Sequence, residues 1–135
     1  MNALGRHILL ELKDCNLEVL NDLDYLENCL CETAEEIGAT VVNKAFYQFS
    51  PYGVSGVVVV AESHLCVHTW PEYGYASVDI FTCGNSIDPR EAIDLLVEKF
   101  EAKSSSFAEL CRGILEGDSV RCEIKQEDIV GCVIK

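Results

Sequence analysis

His64, Cys66, His68 and Trp70 follow one another at intervals of two, and Asp79 and Cys83 lie a short distance downstream. An interval of two is the period of a β-strand, in which alternate side chains share a face. In the run from Tyr75 to Cys83, that alternation separates Ala76, Val78, Ile80 and Thr82 from Tyr75, Ser77, Asp79, Phe81 and Cys83. The first set reads as core. Leu65 and Val67 match it, so His64, Cys66, His68 and Trp70 share the opposite face with Cys83. Two chemistries suit such a face. Histidine and cysteine are zinc ligands. Histidine also titrates near neutrality, and a thiol can donate or accept a proton. Ordinary packing is the third reading, because cysteine in a strand commonly behaves as a small hydrophobe. The residue pattern alone leaves these three open. Ser55 shares its parity with Val57 and Val59, so pattern does not assign its face.

The elements that would position these groups are readable. Gly5 to Leu12 reads as a strand. Leu17 to Ile37 reads as one amphipathic helix, with Leu20, Leu23, Leu26, Leu30, Ala34 and Ile37 recurring at helical spacing. Asn16 is its expected cap and Gly38 its expected stop. Strands are expected over Thr40 to Phe49, Val54 to Ala61, Leu65 to Trp70 and Tyr75 to Thr82. The nearly all-apolar run Val54 to Ala61 suits a buried strand. Ser50-Pro51-Tyr52-Gly53 and Pro71-Glu72-Tyr73-Gly74 are turn clusters. A second helix is expected over Asp88 to Phe100, with Asp88 as cap, Pro89 at the first helical position and Glu91 closing a capping box. Ser106 to Cys111 suggests another strand. In the tail from Gly113, Val120 to Ile124 and Ile129 to Ile134 alternate weakly.

This order predicts an α+β fold. It is a two-layer sandwich, a mostly antiparallel sheet with two main helices on one face. The other face is left to a partner or a site.

The chain has 135 residues, 49% of them hydrophobic, so residues 1–135 read as a single domain able to build a core. Ten basic residues against 23 acidic ones leave a formal net charge of −13. That charge argues against nucleic acid as a partner. No apolar run approaches membrane-spanning length, and no signal peptide is apparent. The eight cysteines contain no Cys-x-x-Cys pair. They read as reduced thiols in a cytoplasmic protein.

One contiguous stretch narrows the chemistry. Pro51-Tyr52-Gly53-Val54-Ser55-Gly56-Val57-Val58-Val59 leads into Glu62-Ser63-His64-Leu65. His68-Thr69-Trp70-Pro71-Glu72-Tyr73-Gly74-Tyr75-Ala76 follows, then Asp79-Ile80-Phe81-Thr82-Cys83-Gly84. This closely resembles the prokaryotic S-adenosylmethionine decarboxylases. The likeness extends upstream through Gly38-Ala39-Thr40 and Phe49 to Leu4-Gly5-Arg6-His7, and fades after the second helix. A long run of uncommon residues in order is far more specific than a short motif.

The resemblance implies a proenzyme that cuts itself between Glu62 and Ser63, leaving a β chain of residues 1–62 and an α chain of residues 63–135. Ser63 Oγ would attack the Glu62 carbonyl. His68 would accept the Ser63 α-proton, and Ser55 would support cleavage. Ser63 would become a pyruvoyl group, the only cofactor, without metal or pyridoxal phosphate. The pyruvoyl would form a Schiff base with S-adenosylmethionine, and Cys83 would donate the proton that replaces carbon dioxide. Phe49 and Trp70 match positions that flank the adenine, and Glu72 matches one that binds the ribose. The decarboxylated product would serve as aminopropyl donor for spermidine synthesis. The resemblance also implies a homodimer of cleaved protomers with sites at or near the interface, which would occupy the second sheet face.

Glu62-Ser63-His64 taken alone is an ordinary polar turn. Cys66 stands where the family is expected to carry a hydroxyl residue. The alternatives are a pyruvoyl-dependent decarboxylase of another amino acid, such as ornithine or arginine, a zinc-binding protein using His64, Cys66, His68 and Cys83, and an unprocessed binding subunit.

Overall fold

A computed structural model of the chain describes residues 3–115 and 122–125. Seven strands form one sheet in the order β2-β3-β4-β5-β1-β6-β7. In chain order they are β1 (Ala3–Lys13), β2 (Val41–Gln48), β3 (Val54–Val60), β4 (Ser63–Trp70), β5 (Tyr75–Cys83), β6 (Ser104–Ile114) and β7 (Cys122–Lys125). Every neighbouring pair is antiparallel. β2 to β5 follow one another through short connections, as the turn clusters predicted. β1 then inserts between β5 and β6. Two helical crossovers make this possible. α1 (Leu17–Leu20) and α2 (Leu23–Glu36) carry the chain from β1 to the β2 edge, and α3 (Glu91–Lys99) carries it from β5 past β1 to β6.

The helices cover one face. Ile8, Leu10 and Leu12 of β1, Val58 of β3, Leu65 and Val67 of β4, and Ala76, Val78 and Ile80 of β5 are all essentially inaccessible. They pack in one core with Leu26 and Leu30 of α2 and Leu96 of α3. This is the two-layer α+β sandwich expected from the element order.

The sequence reading needs three corrections. The helix expected over Leu17 to Ile37 is broken. Asn16 caps α1 through its Oδ1, as expected, but the helix ends at Leu20, and Asp22 accepts the Tyr25 N–H to cap a second one. Asn and Asp in sequence supply side-chain acceptors that compete with helix continuation. The helix expected from Asp88 begins at Glu91. Asp88 Oδ1 accepts the Arg90 N–H and caps the turn that leads into it. Third, β3 is buried on one face only: Val54, Val58 and Val60 are buried, while Val59 is 39% exposed. The strand expected at Ser106 to Cys111 is longer at both ends, and Cys122 to Ile124 of the segment Val120 to Ile124 fall in β7, while Val120 and Arg121 lie outside the described residues. Ile129 to Ile134 lie outside the described residues.

Candidate active site

Alternation in β4 and β5 is as the pattern indicated. His64 lies opposite Phe81, Cys66 opposite Asp79 and His68 opposite Ser77, all on the face away from the helices. The register assigns what pattern left open in β3. Ser55 pairs with His68, and its Oγ lies 2.7 Å from His68 Nδ1. Ser55 therefore belongs to the open face.

Ser63 sits in a different setting. Val60 pairs with Ser63, so only Ala61 and Glu62 join β3 to β4. Glu62 closes this hairpin with φ of 67°, in the left-handed region that a residue with a Cβ seldom adopts. Ser63 has the parity of the buried Leu65 and Val67. At the strand terminus its Oγ accepts the backbone N–H of Cys83 at 3.1 Å. One contact thus ties the hairpin to the end of β5, where the Cys83 side chain takes the open face. Gly84 follows at φ of 72° and donates its N–H to the Leu4 carbonyl, turning the chain away after Cys83.

The candidate residues therefore fall into two groups at opposite ends of the sheet. Glu62, Ser63 and Cys83 form one end. Ser55, His68 and Trp70 form the other, with Phe49 and Glu72 just beyond. Five residue steps of strand separate Ser63 from His68, about 16 Å at the usual rise of about 3.3 Å.

Between them the open face is lined by His7, Cys66, Asp79, Phe81 and their neighbours. The His7 ring packs edge-on against Phe81 at 5.5 Å and lies 6.3 Å from His64. Its Nε2 is buried without a hydrogen-bond partner among the described residues. Burial lowers the His7 pKa, and the nearby Asp79 only partly opposes this. Burial likewise raises the Cys66 thiol, with the Asp79 carboxylate adding to the effect. Cys66 is thereby a neutral thiol rather than a ready nucleophile. Arg112 lies over the Phe81 ring at 5.3 Å.

At the far end Trp70 stacks on Tyr75 with centroids 5.2 Å apart and remains 39% exposed. Phe49 meets Tyr47 at 4.9 Å and is also exposed. Glu72, on the 3-10 turn Pro71–Tyr73, borders a cavity of about 400 Å³ shared with Leu17, Asn21 and Tyr52. Phe49 and Trp70 do not line that cavity.

Sequence reading passed over two residues that hold this end together. Asn21 Oδ1 accepts from Gly53 N–H and Gln48 Nε2, fastening the turn after Phe49. Thr69 Oγ1, buried under α1, accepts the Val54 N–H and donates to the Leu20 carbonyl. The Asn21-Asp22 pair inside a helical pattern was the available signal for the first. Thr69 gave none.

The geometry does not favour the zinc reading. His64, Cys66 and His68 are strung along one strand, and among the described residues no three His, Cys, Asp or Glu side chains converge to hold an ion.

Comparison with known proteins bears on the family and the fold. The profile of the S-adenosylmethionine decarboxylase family matches residues 6–113. The S-adenosylmethionine decarboxylase proenzyme of Thermodesulfovibrio yellowstonii is 52% identical over 115 residues, which is 85% of either chain. That of Acetivibrio thermocellus is 53% identical over 116 residues, 86% of this chain and 94% of its own. The crystal structure of the adenosylmethionine decarboxylase from Aquifex aeolicus superposes with a TM-score of 0.80 at 32% identity, covering 88% of this chain and 98% of that one.

Proposed function

The chain belongs to the S-adenosylmethionine decarboxylase family, and from that premise we propose that it matures by cutting itself between Glu62 and Ser63 and then decarboxylates S-adenosylmethionine. The observation that carries this reading is the hairpin itself. A two-residue connection holds Glu62 at a disfavoured φ, and Ser63 Oγ is held beside the bond to be attacked by the Cys83 N–H. Local backbone strain of this kind costs on the order of 1–3 kcal/mol and is characteristic of sites where it assists a reaction. The relatives are themselves proenzymes by name.

Maturation balances on this chain's own atoms. Ser63 Oγ adds to the Glu62 carbonyl carbon, the amide C–N bond breaks, and an ester with a free Ser63 amine results. Removal of the Ser63 α-proton expels the ester oxygen as the new Glu62 carboxylate. The remaining dehydroalanine becomes an imine, water adds, and ammonia leaves. The fragments would be residues 1–62 and 63–135. β4 starts at the new terminus and stays paired with β3 and β5, so both fragments remain in one sheet.

A pyruvoyl group at residue 63 supplies a carbonyl for the substrate's α-amine and an electron sink for the pair left by departing carbon dioxide. Cys83 is the neighbour suited to return a proton, since its backbone already contacts residue 63. The exposed rings of Phe49 and Trp70 offer flat surfaces for a base and for a sulfonium. Glu72 offers acceptors for ribose hydroxyls.

These two sets of groups cannot meet within one chain, and this supports a homodimer. A general base must come within about 3 Å of the proton it takes. His68 is about 16 Å along the strand from Ser63. A two-fold axis crossing the open face near Leu65 and Cys66 would exchange the ends of β4 and bring Ser55, His68 and Trp70 of one protomer over Ser63 and Cys83 of the other. Cys15, Cys29, Cys31, Cys66, Cys83 and Cys111 are free thiols, as a reducing cytoplasm would keep them. Decarboxylated S-adenosylmethionine then serves as the aminopropyl donor.

Intact mass measurement tests the first half: two fragments divided after Glu62 are expected, the larger lacking a free amino terminus. Carbon dioxide release from S-adenosylmethionine, ornithine and arginine tests the second. Turnover of ornithine or arginine without S-adenosylmethionine would refute the substrate assignment.

A further inference from the structure

We propose that the cavity between the end of β1 and the start of β6 receives a small phosphate-type oxyanion, either phosphate or a phosphate monoester, held by Lys13 and Lys103. The cavity encloses about 270 Å³, and Lys13, Lys103, Ser104, Ser105 and Ser106 all border it. None of the residues assigned to maturation or decarboxylation lines it.

The argument begins with charge. Acidic side chains outnumber basic ones 23 to 10. Five other cations have accordingly found partners. Arg6 pairs with Asp88 and Glu109, and Arg90 with Glu109. Lys44 pairs with Glu27, and Lys99 with Glu32 and Glu36. Arg112 lies over Phe81. Lys13 and Lys103 make no ion pair with a described carboxylate, and both border the same cavity.

Their convergence is built into the fold. Lys13 pairs with Ser104 across β1 and β6, and the Lys103 N–H donates to the Lys13 carbonyl at 3.1 Å. Two ammonium groups rooted this closely repel one another, and an anion between them relieves the repulsion. Three successive serines add hydroxyl donors, and Ser106 is itself buried. Ammonium plus hydroxyl donors is a phosphate-binding chemistry. The acidic remainder of the surface opposes it weakly, since screening cuts off exposed charges beyond about 8 Å at physiological salt.

The test uses the full-length processed protein with inorganic phosphate and phenyl phosphate as probes, against chloride at equal ionic strength. Saturable binding by calorimetry is expected, together with protection of Lys13 and Lys103 from acylation read by mass spectrometry. Lys13→Ala and Lys103→Ala should each weaken binding at least about ten-fold, the scale of one lost charge-assisted contact. Lys103→Arg should keep it. Both lysines are exposed, so the variants should fold, and acylation of the remaining lysine reads the site independently of stability. An equal response to chloride, or unchanged phosphate binding in the Lys13→Ala/Lys103→Ala protein, overturns the proposal.

Discussion

Suppose Ser63→Ala chains are mixed, by co-expression, with His68→Ala chains. The first lacks the nucleophile and the second lacks the base, so neither homodimer should mature normally. His68→Ala alone should cleave more slowly by about 10²–10⁴, the usual contribution of a positioned acid–base group. The mixed dimer differs. One of its two sites combines Ser63 from the His68→Ala chain with His68 from the Ser63→Ala chain, and is complete. The other lacks both groups. Random pairing puts about half of the Ser63-bearing chains in mixed dimers, so about half should be cleaved in the time the parent needs. The expectation rests on one length. Five strand steps, about 16 Å, keep His68 from its own Ser63. Packed sheets lie about 10 Å apart, within which side chains from two facing sheets do meet. Separate tags would report the dimer composition, and intact mass would report the cut. If mixed dimers form and cleavage stays at the level of His68→Ala alone, the site is not shared between protomers.

Three further outcomes follow from particular contacts. Cys83→Ala should still mature in part, since Ser63 Oγ is held by the backbone N–H at position 83, but kcat should fall about 10²–10⁴ with little change in KM, measured by carbon dioxide release. His7 is kept neutral by burial, with Asp79, Arg112 and His64 as its charged or titratable neighbours. Its folded pKa lies below its ordinary 6.5, so the unfolded chain binds the proton more readily, and stability is lost as pH falls from about 6.5 through the folded value. His7→Gln should therefore show a smaller drop in urea midpoint between about pH 7 and 5 than the parent. Thr69→Val should cost about 1–3 kcal/mol in the same assay, because the Val54 N–H and the Leu20 carbonyl lose a buried partner. An unchanged midpoint would mean that α1 is not held to the sheet by this residue.

Much of the fold was legible because strand periodicity is a local property. Ala76, Val78 and Ile80 alternate with Ser77, Asp79 and Phe81, and burial follows that alternation without exception. The helix stripes of α2 and α3 were legible for the same reason. The break at Asn21 and Asp22 was not, since the apolar spacing runs straight across it and only the capping bonds mark two helices. The face of Ser55 was not legible either. The unbroken run of four valines from Val57 to Val60 erases alternation, and only the pairing with His68 decides the question.

The family resemblance singled out the Glu62–Ser63 bond; by itself, the order of residues determined the sheet-and-helix class and the chemical character of the open face. Each of these is set by neighbours a few positions apart. The tertiary structure decided how those residues are distributed. It put Ser63 with Cys83 and His68 with Ser55, at opposite ends of one strand, because antiparallel register joins residues far apart in sequence and separates others that are near. It also brought Lys13 and Lys103 to one cavity, a meeting that depends on β1 and β6 being neighbours and that no local pattern encodes.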